Sequence, residues 1–339
     1  MATIKDVAAA AKVSTATVSA VVNDSAYVSP GLRARVLQAV RELGYAPSQL
    51  ARNLRRGRSE LIAIAVADLS NPFYARVVCA AEAAVAAWGY SLVVFNSDEK
   101  PEAEKRILGR VRMLHCEGLV LVPVGEASHA GRRDPEGGRL PTVLFGRVID
   151  DDRLDAVTID NFSASYQATS YLIDLGHTRI GAITGPMHLS TGKQRLEGME
   201  AALRAKNIAL DSRFVRQGEF REEAAYSAAR GLLTQAERPT ALYVASGLMA
   251  LGVMRAIADV GLRCPEDVSV ASTDNIPGVR GLRPSLTRTE HPIVEMVNEA
   301  VRLLVDRIKA NHRGEGRTVV FQPSLVVGDS CVSLNRPPR

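Results

Sequence analysis

The stretch that decides the fold opens the chain: Thr3-Ile4-Lys5-Asp6-Val7-Ala8-Ala9-Ala10-Ala11, then Val13-Ser14-Thr15-Ala16-Thr17-Val18-Ser19. Thr3 followed three residues later by Asp6 is a capping-box-like start, and it predicts a short alanine-rich helix. Val13 marks a tight turn, and Ser14 is placed to cap a second helix from Thr15 to about Val22. Val18, Val21 and Val22 form its inward face. Asn23-Asp24-Ser25 is a turn cluster. Ser29-Pro30 opens a third helix with proline at its first position. Leu32, Val36, Val40 and Leu43 recur there at helical spacing until Gly44.

Charge sharpens this reading. Residues 1–60 hold nine Lys/Arg against four Asp/Glu, whereas the remaining chain holds 33 of each sign. The whole net charge of +5 therefore sits in the first 60 of 339 residues, as expected of a polyanion-binding tip. Three short helices with a polar loop make a helix-turn-helix, which lays the start of its second helix in the major groove. Ser14, Thr15, Ala16, Thr17 and Ala20 are the candidate DNA contacts of that helix. Hydroxyls can bond base edges and methyl groups can meet thymine, but no arginine or lysine is present to read guanine. Next, Pro47-Ser48-Gln49-Leu50-Ala51-Arg52-Asn53-Leu54-Arg55-Arg56-Gly57 reads as about two helical turns, too short to persist alone. It is expected to fold on DNA or on a second copy. Leu54 between arginines has the composition of a minor-groove wedge. Ser48, Ala51, Arg52, Leu54 and Arg55 are its candidate contacts, and a plain basic linker is the alternative.

Several motifs occur together and in order: Thr3-Ile4-Lys5-Asp6-Val7-Ala8, Thr17-Val18-Ser19, Val21-Val22-Asn23, Glu42-Leu43-Gly44-Tyr45-Ala46-Pro47, Ala51-Arg52-Asn53-Leu54 and Asp68-Leu69-Ser70-Asn71-Pro72-Phe73-Tyr74. They closely resemble the head, hinge and first core segment of the LacI/GalR repressor family, and the likeness extends over essentially the whole chain. It implies a homodimer on a pseudo-palindromic operator, with paired hinge helices inserting Leu54 at a central base step. By position, Thr15, Ala16 and Ala20 match the family's base-reading residues. Ala20 stands where an arginine is often found, so no operator carries over from better-known members.

From Leu61 the pattern becomes repeated strand and helix, hence an α/β fold of open parallel sheets. Strands are predicted at Leu61–Ala67, Ser91–Phe95, Gly118–Val122, Thr142–Phe145 and Ala156–Ile159, with a glycine-rich surface loop from Glu126 to Arg139. A second winding follows, with strands at Arg179–Thr184 and near 213–217, 241–245 and 268–272. Two windings suggest two lobes, and a cleft at the carboxyl ends of their strands is the expected pocket. The resemblance implies the same: a two-lobed periplasmic-binding-protein-like core. It also implies crossings near 160, 291 and 323, so that a helix over 292–310 and a strand at 318–322 return to the first lobe. The expected division is a DNA-binding domain at 1–47, a hinge at 48–60 and a core at 61–339. Lobe one would take 61–160 and 292–322, and lobe two 161–290 and 324–339.

Polar or aromatic residues just after strand ends are the candidate ligand contacts. Asn71, Phe73 and Tyr74 follow the first strand, and Arg147 follows Phe145-Gly146. Thr191, Arg195, Phe220, Ser246 and Asp274 follow strands of the second lobe. An arginine fork, a carboxylate and aromatics suit a sugar, polyol or other small metabolite. Arg195 paired with Glu197 or Glu200, and Asp274 capping a turn, are the structural alternatives. The resemblance implies ligand contact at the Arg195 and Asp274 positions. Many sugar-responsive members carry Asn-Asp where this chain has Ser246-Gly247, which makes an ordinary hexose a less secure effector. Leu189 supplies no second cation for a strongly anionic group. His177 is expected to order its turn.

Other chemistry finds little support. Gly185 to Lys193 has the wrong spacing for a phosphate loop, and Asp150-Asp151-Asp152 lacks alternating metal-ligand spacing. No HExxH or GxSxG motif occurs, the four cysteines form no CxxC pair, and no cofactor is expected. No apolar run reaches the roughly 18 residues of a membrane span, and no export signal opens the chain, so a cytoplasmic protein with no membrane partner is expected. The tail beyond Val326 has no leucine heptads. The expectation is a DNA-binding regulator that answers to a small molecule. A sugar-binding or sugar-processing protein, or a DNA-binding protein without effector response, are its rivals.

Overall fold

The computed structural model describes residues 2–45, 58–130, 140–274, 283–310 and 315–334. It contains two compact units, residues 1–59 and 60–339.

In the first unit α1 (Ile4–Ala11), α2 (Thr15–Asn23) and α3 (Pro30–Glu42) enclose a small core of Val7, Ala8, Ala11, Val18, Val21, Val36 and Ala39. The capping box is reciprocal: Thr3 N donates to Asp6 Oδ2 at 2.8 Å, and Asp6 N to Thr3 Oγ1 at 3.4 Å. Ser14 Oγ accepts from Thr17 N at 3.1 Å and so fixes the start of α2. In α3, Val36 and Ala39 are buried and Val40 packs against the same core, whereas Leu43, just past the helix end at Glu42, is exposed.

The second unit holds two six-stranded sheets. Sheet one comprises β1 (Leu61–Val66), β2 (Ser91–Asn96), β3 (Gly118–Leu121), β4 (Thr142–Phe145), β5 (Asp155–Ile159) and β11 (Thr318–Phe321). Its order is β11-β5-β4-β3-β1-β2, all parallel. Burial on both faces explains its near-continuous apolar central strands. On its faces lie α4 (Pro72–Ala86), α5 (Pro101–Met113) and α10 (Ile293–Ala310). Asp155, fully buried in β5, ties α10 and β11 to the sheet: Arg307 Nη2 reaches it at 2.9 Å and Arg317 N at 2.6 Å.

Sheet two comprises β6 (Ile180–Thr184), β7 (Val215–Gln217), β8 (Ala241–Val244), β9 (Ser269–Thr273), β10 (Thr287–Glu290) and β12 (Ser324–Val326). Its order is β12-β10-β9-β8-β6-β7, parallel except for the β10–β12 pair. It is covered by α6 (Asn161–Asp174), α7 (Ser190–Ala205), α8 (Glu222–Leu233) and α9 (Gly247–Asp259). Neither β10 nor the antiparallel β12 was expected from the sequence. The inward positions of β10 are Thr287 and Thr289, so its alternation carries no apolar signal. The chain passes between the sheets three times, at 160, between β10 and α10, and between β11 and β12.

Candidate functional site

On the head, Ser14, Thr15 and Ala16 are exposed, and Thr17 and Ala20 half-buried. Ser14 Oγ and Thr17 Oγ1 are hydrogen-bonded to each other at 2.9 Å, so both are occupied in shaping the helix start. Thr15 and Ala16 remain as its outward residues. Ser48, Ala51, Arg52, Leu54 and Arg55 lie outside the described residues.

In the core, all nine candidate ligand contacts line one pocket at the carboxyl ends of the strands of both sheets. From lobe one, Asn71 caps α4 by accepting from Phe73 N at 3.0 Å. That holds Phe73 edge-on to Tyr74, with ring centroids 5.1 Å apart. Phe73 also stands edge-on to His291 at 5.9 Å. Arg147, nearly fully buried, donates twice to Glu99 at 2.7 Å and once to the Pro123 carbonyl at 3.1 Å. Burial opposes its charge, but Tyr74 and Glu99 outweigh that and raise its pKa. Burial pushes the Tyr74 hydroxyl up to about 12.

From lobe two, Thr191 and Arg195 project from the first turns of α7. Arg195 does not pair with Glu197 or Glu200. Its Nε donates to Asn161 Oδ1 at 2.8 Å and its Nη1 to the Ala245 carbonyl at 2.5 Å. The same Nη1 faces Asp274 Oδ2 at 3.6 Å. Asp274 Oδ1 meets His291 Nδ1 at 2.8 Å. Burial raises the pKa of the Asp274 carboxyl, but His291 and Arg195 more than offset it and hold it below its ordinary value. Ser246 caps α9 by accepting from Met249 N at 3.3 Å.

Phe220 completes the site from the turn before α8, with the Arg147 and Arg195 guanidinium carbons each 5.9 Å from its ring centroid. Its ring lies on the bare backbone of Gly185, where a Cβ would come within 2.1 Å of Cζ. A Cβ on Gly192 would meet the Pro186 carbonyl oxygen at 2.1 Å. Close packing thus accounts for the glycines of the 185–193 segment.

Sequence reasoning missed four polar pocket residues, Asp68, Glu99, Arg221 and His291, and Asn161, which stands behind Arg195. Asn161 and His291 sit at lobe crossings, which was the one signal available for them. Arg221 of lobe two reaches Asp68 at 2.6 Å and Asp98 at 2.8 Å in lobe one. Among the described residues, the pocket atoms Thr191 Oγ1 and His291 Nε2 are buried with no hydrogen-bond partner. The cavity is about 50 Å³, space for water but far below the roughly 300 Å³ of ordinary ligand pockets. His177 lies elsewhere, with Nδ1 at 3.0 Å from Thr240 Oγ1 and Nε2 at 3.0 Å from Ser269 Oγ.

Residues 3–48 match the bacterial regulatory proteins of the lacI family, and residues 169–331 the periplasmic binding protein-like domain. Over 327 residues, 96% of each chain, the sequence is 34% identical to the HTH-type transcriptional repressor PurR of Edwardsiella ictaluri. The chain belongs to the LacI family. A second LacI-family relative, the HTH-type transcriptional repressor CytR of Escherichia coli, is 34% identical over 333 residues, 97% of this chain and 96% of that one. The structure of the Lac repressor dimer bound to operator and the anti-inducer ONPF superposes with a TM-score of 0.84. That comparison has 26% identity and covers 98% of this chain and 99% of the other. These LacI-family proteins are transcriptional repressors, not enzymes. Among the described residues, no helix is long and apolar enough to cross a membrane.

Proposed function

We propose that this protein is a cytoplasmic, homodimeric repressor that binds a pseudo-palindromic operator and is controlled by a small molecule held between its two lobes. The observation that carries this reading is the convergence of nine residues from both lobes on one pocket, in a chain that opens with a helix-turn-helix. Thr15 and Ala16 read the major groove, with Ser14, Thr17 and Ala20 supporting them, and residues 48–60 form the hinge, with Leu54 as its wedge. Effector binding shifts the lobes between two arrangements, the spacing of the paired hinges follows, and operator affinity changes. Arg195 and Asp274 orient the ligand, Phe73 and Phe220 cover its apolar faces, and Asn71, Tyr74, Arg147, Thr191 and Ser246 bound it. The same site has no role in catalysis.

The dimer reading is supported by an open edge on sheet one. Among the described residues, strand β2 has a neighbour on one side only, and it carries exposed Val94. Leu69, also exposed, is fixed beside it through its N–H to Asn96 Oδ1 at 3.0 Å.

The test is operator selection from random duplexes with purified protein, followed by fluorescence anisotropy across salt and with added metabolites. Tight binding to one family of sequences, shifted at least tenfold by one metabolite, is expected. Indifference to duplex sequence would refute the regulator reading. A selected operator whose affinity no metabolite moves would favour a constitutive DNA-binding protein.

A further inference from the structure

Beyond β12 the chain stays fastened to lobe two. Val270 N of β9 donates to the Ser330 carbonyl at 2.8 Å, and Ser330 Oγ donates to the Val270 carbonyl at 2.6 Å. Val332 N donates to Ser269 Oγ at 3.0 Å, and Leu334 N to the Leu175 carbonyl at 2.9 Å. Two of the four cysteines meet at this fastening, both half-buried. Cys331 Sγ donates to the Val270 carbonyl at 3.2 Å. Cys264, in the turn before β9, donates from Sγ to the Ser330 carbonyl at 3.5 Å. That carbonyl belongs to the peptide bond leading into Cys331. Standard peptide dimensions therefore bring the Cys264 sulfur within roughly 6 Å of the Cys331 Cα.

We propose that Cys264 and Cys331 are a paired oxidation site, which a hydroperoxide converts to a disulfide that staples the C-terminal segment to the base of β9. Rotation of the two side chains about Cα–Cβ brings the sulfurs together while the hydrogen bonds around them hold the backbone. Burial pushes the Cys264 thiol up to about 12. It raises Cys331 as well, but hydrogen bonds to Thr287, Ser330 and Val270 work against it. Cys331 is therefore the thiol that ionises first and attacks. With hydrogen peroxide, its sulfur bonds to one oxygen, the O–O bond breaks, and the other oxygen leaves as water with the thiol proton. The resulting sulfenic acid is attacked by Cys264. The S–S bond forms, the S–O bond breaks, and the second oxygen leaves as water with the Cys264 proton. Two thiols are oxidised by two electrons, one peroxide is reduced to two waters, and a dithiol reductant reverses the change. The raised thiols make the site slow, a response to sustained exposure rather than to a pulse. Its consequence is mechanical. The strand it fastens, β9, leads directly to Asp274, and the cross-link restricts the unfolded chain as well as the folded one.

The experiment treats the reduced full chain with increasing hydrogen peroxide. Remaining thiols are capped with N-ethylmaleimide after unfolding, and peptides are mapped by mass spectrometry without reductant. A linked pair of peptides holding Cys264 and Cys331 is expected, and dithiothreitol should separate it. The oxidised protein should melt several degrees above Cys264→Ser given the same dose, and the difference should vanish on reduction. Exposed Cys79 and buried Cys116 are the internal comparison. Both cysteines of the pair still capped by maleimide at doses that fully oxidise Cys79 would overturn the proposal. So would sulfinic acids at both positions without a link, or cross-links that join Cys264 or Cys331 to Cys79 or Cys116 instead. A link between the two that leaves Tm where it was would overturn the staple. Cys331→Ser, and Cys331→Ala should the serine not fold, must lose both the link and the rise in Tm; a rise that persists in either overturns the assignment.

Discussion

At the residue scale, the position of Phe220 depends on a hydrogen atom. Gly185 has no Cβ, and the ring occupies the space one would take. Gly185→Ala pushes against the far end of a side chain that can swing away, so the cost in stability is small, about 1 kcal/mol. The cost to the site is larger. We expect effector affinity to fall at least tenfold while Tm moves by a few degrees, measured by calorimetry and thermal melting. Asp274 gives a pH prediction. Its folded pKa lies below the ordinary 3.8, so between the two values the unfolded chain binds more protons. Its contribution to stability is therefore complete above about pH 4 and is lost as pH falls through the folded value. In acid titrations followed by circular dichroism, Asp274→Asn should lose less stability than the parent between pH 4 and pH 2. An identical slope would remove the carboxylate from this account.

At the element scale, the helix ends and periodic segments were legible in the sequence, because their signals are local. Thr3 with Asp6 and Ser14 with Thr17 act within one turn, and the structure makes both sets of bonds. Ser14→Ala should cost about 1 kcal/mol of head stability and weaken operator binding. Hydrogen exchange at the Thr15–Thr17 amides in the full chain would read the first effect, and anisotropy the second. Strand β10 was illegible for the opposite reason. Thr287 and Thr289 are buried by neighbours that arrive late in the chain, including Ser330, whose Oγ accepts from Thr287 N at 2.8 Å. The same division runs through the cleft. Asn71, Arg147 and Ser246 could be named because they follow strand ends, where parallel sheets place ligands. Glu99, Arg221 and His291 could not, since each matters through a partner distant in sequence.

At the scale of the whole molecule, Arg221 spans the mouth of the cleft from lobe two to Asp68 and Asp98 of lobe one. Its side chain is 37% exposed, so each contact contributes at most about 1 kcal/mol. That is enough to shift an open–closed equilibrium roughly fivefold. Arg221→Ala should raise the radius of gyration of the ligand-free protein in solution scattering, and saturating ligand should restore it. An unchanged scattering profile would show that other contacts hold the cleft shut.

The three passages of the chain between the sheets have a mechanical corollary. A body joined by one strand of peptide falls into halves when that strand is cut. This body would not. A protease that severs the backbone at 160 leaves the halves fastened by the two remaining threads, so the nicked protein should migrate as two fragments on a denaturing gel yet elute intact under native conditions.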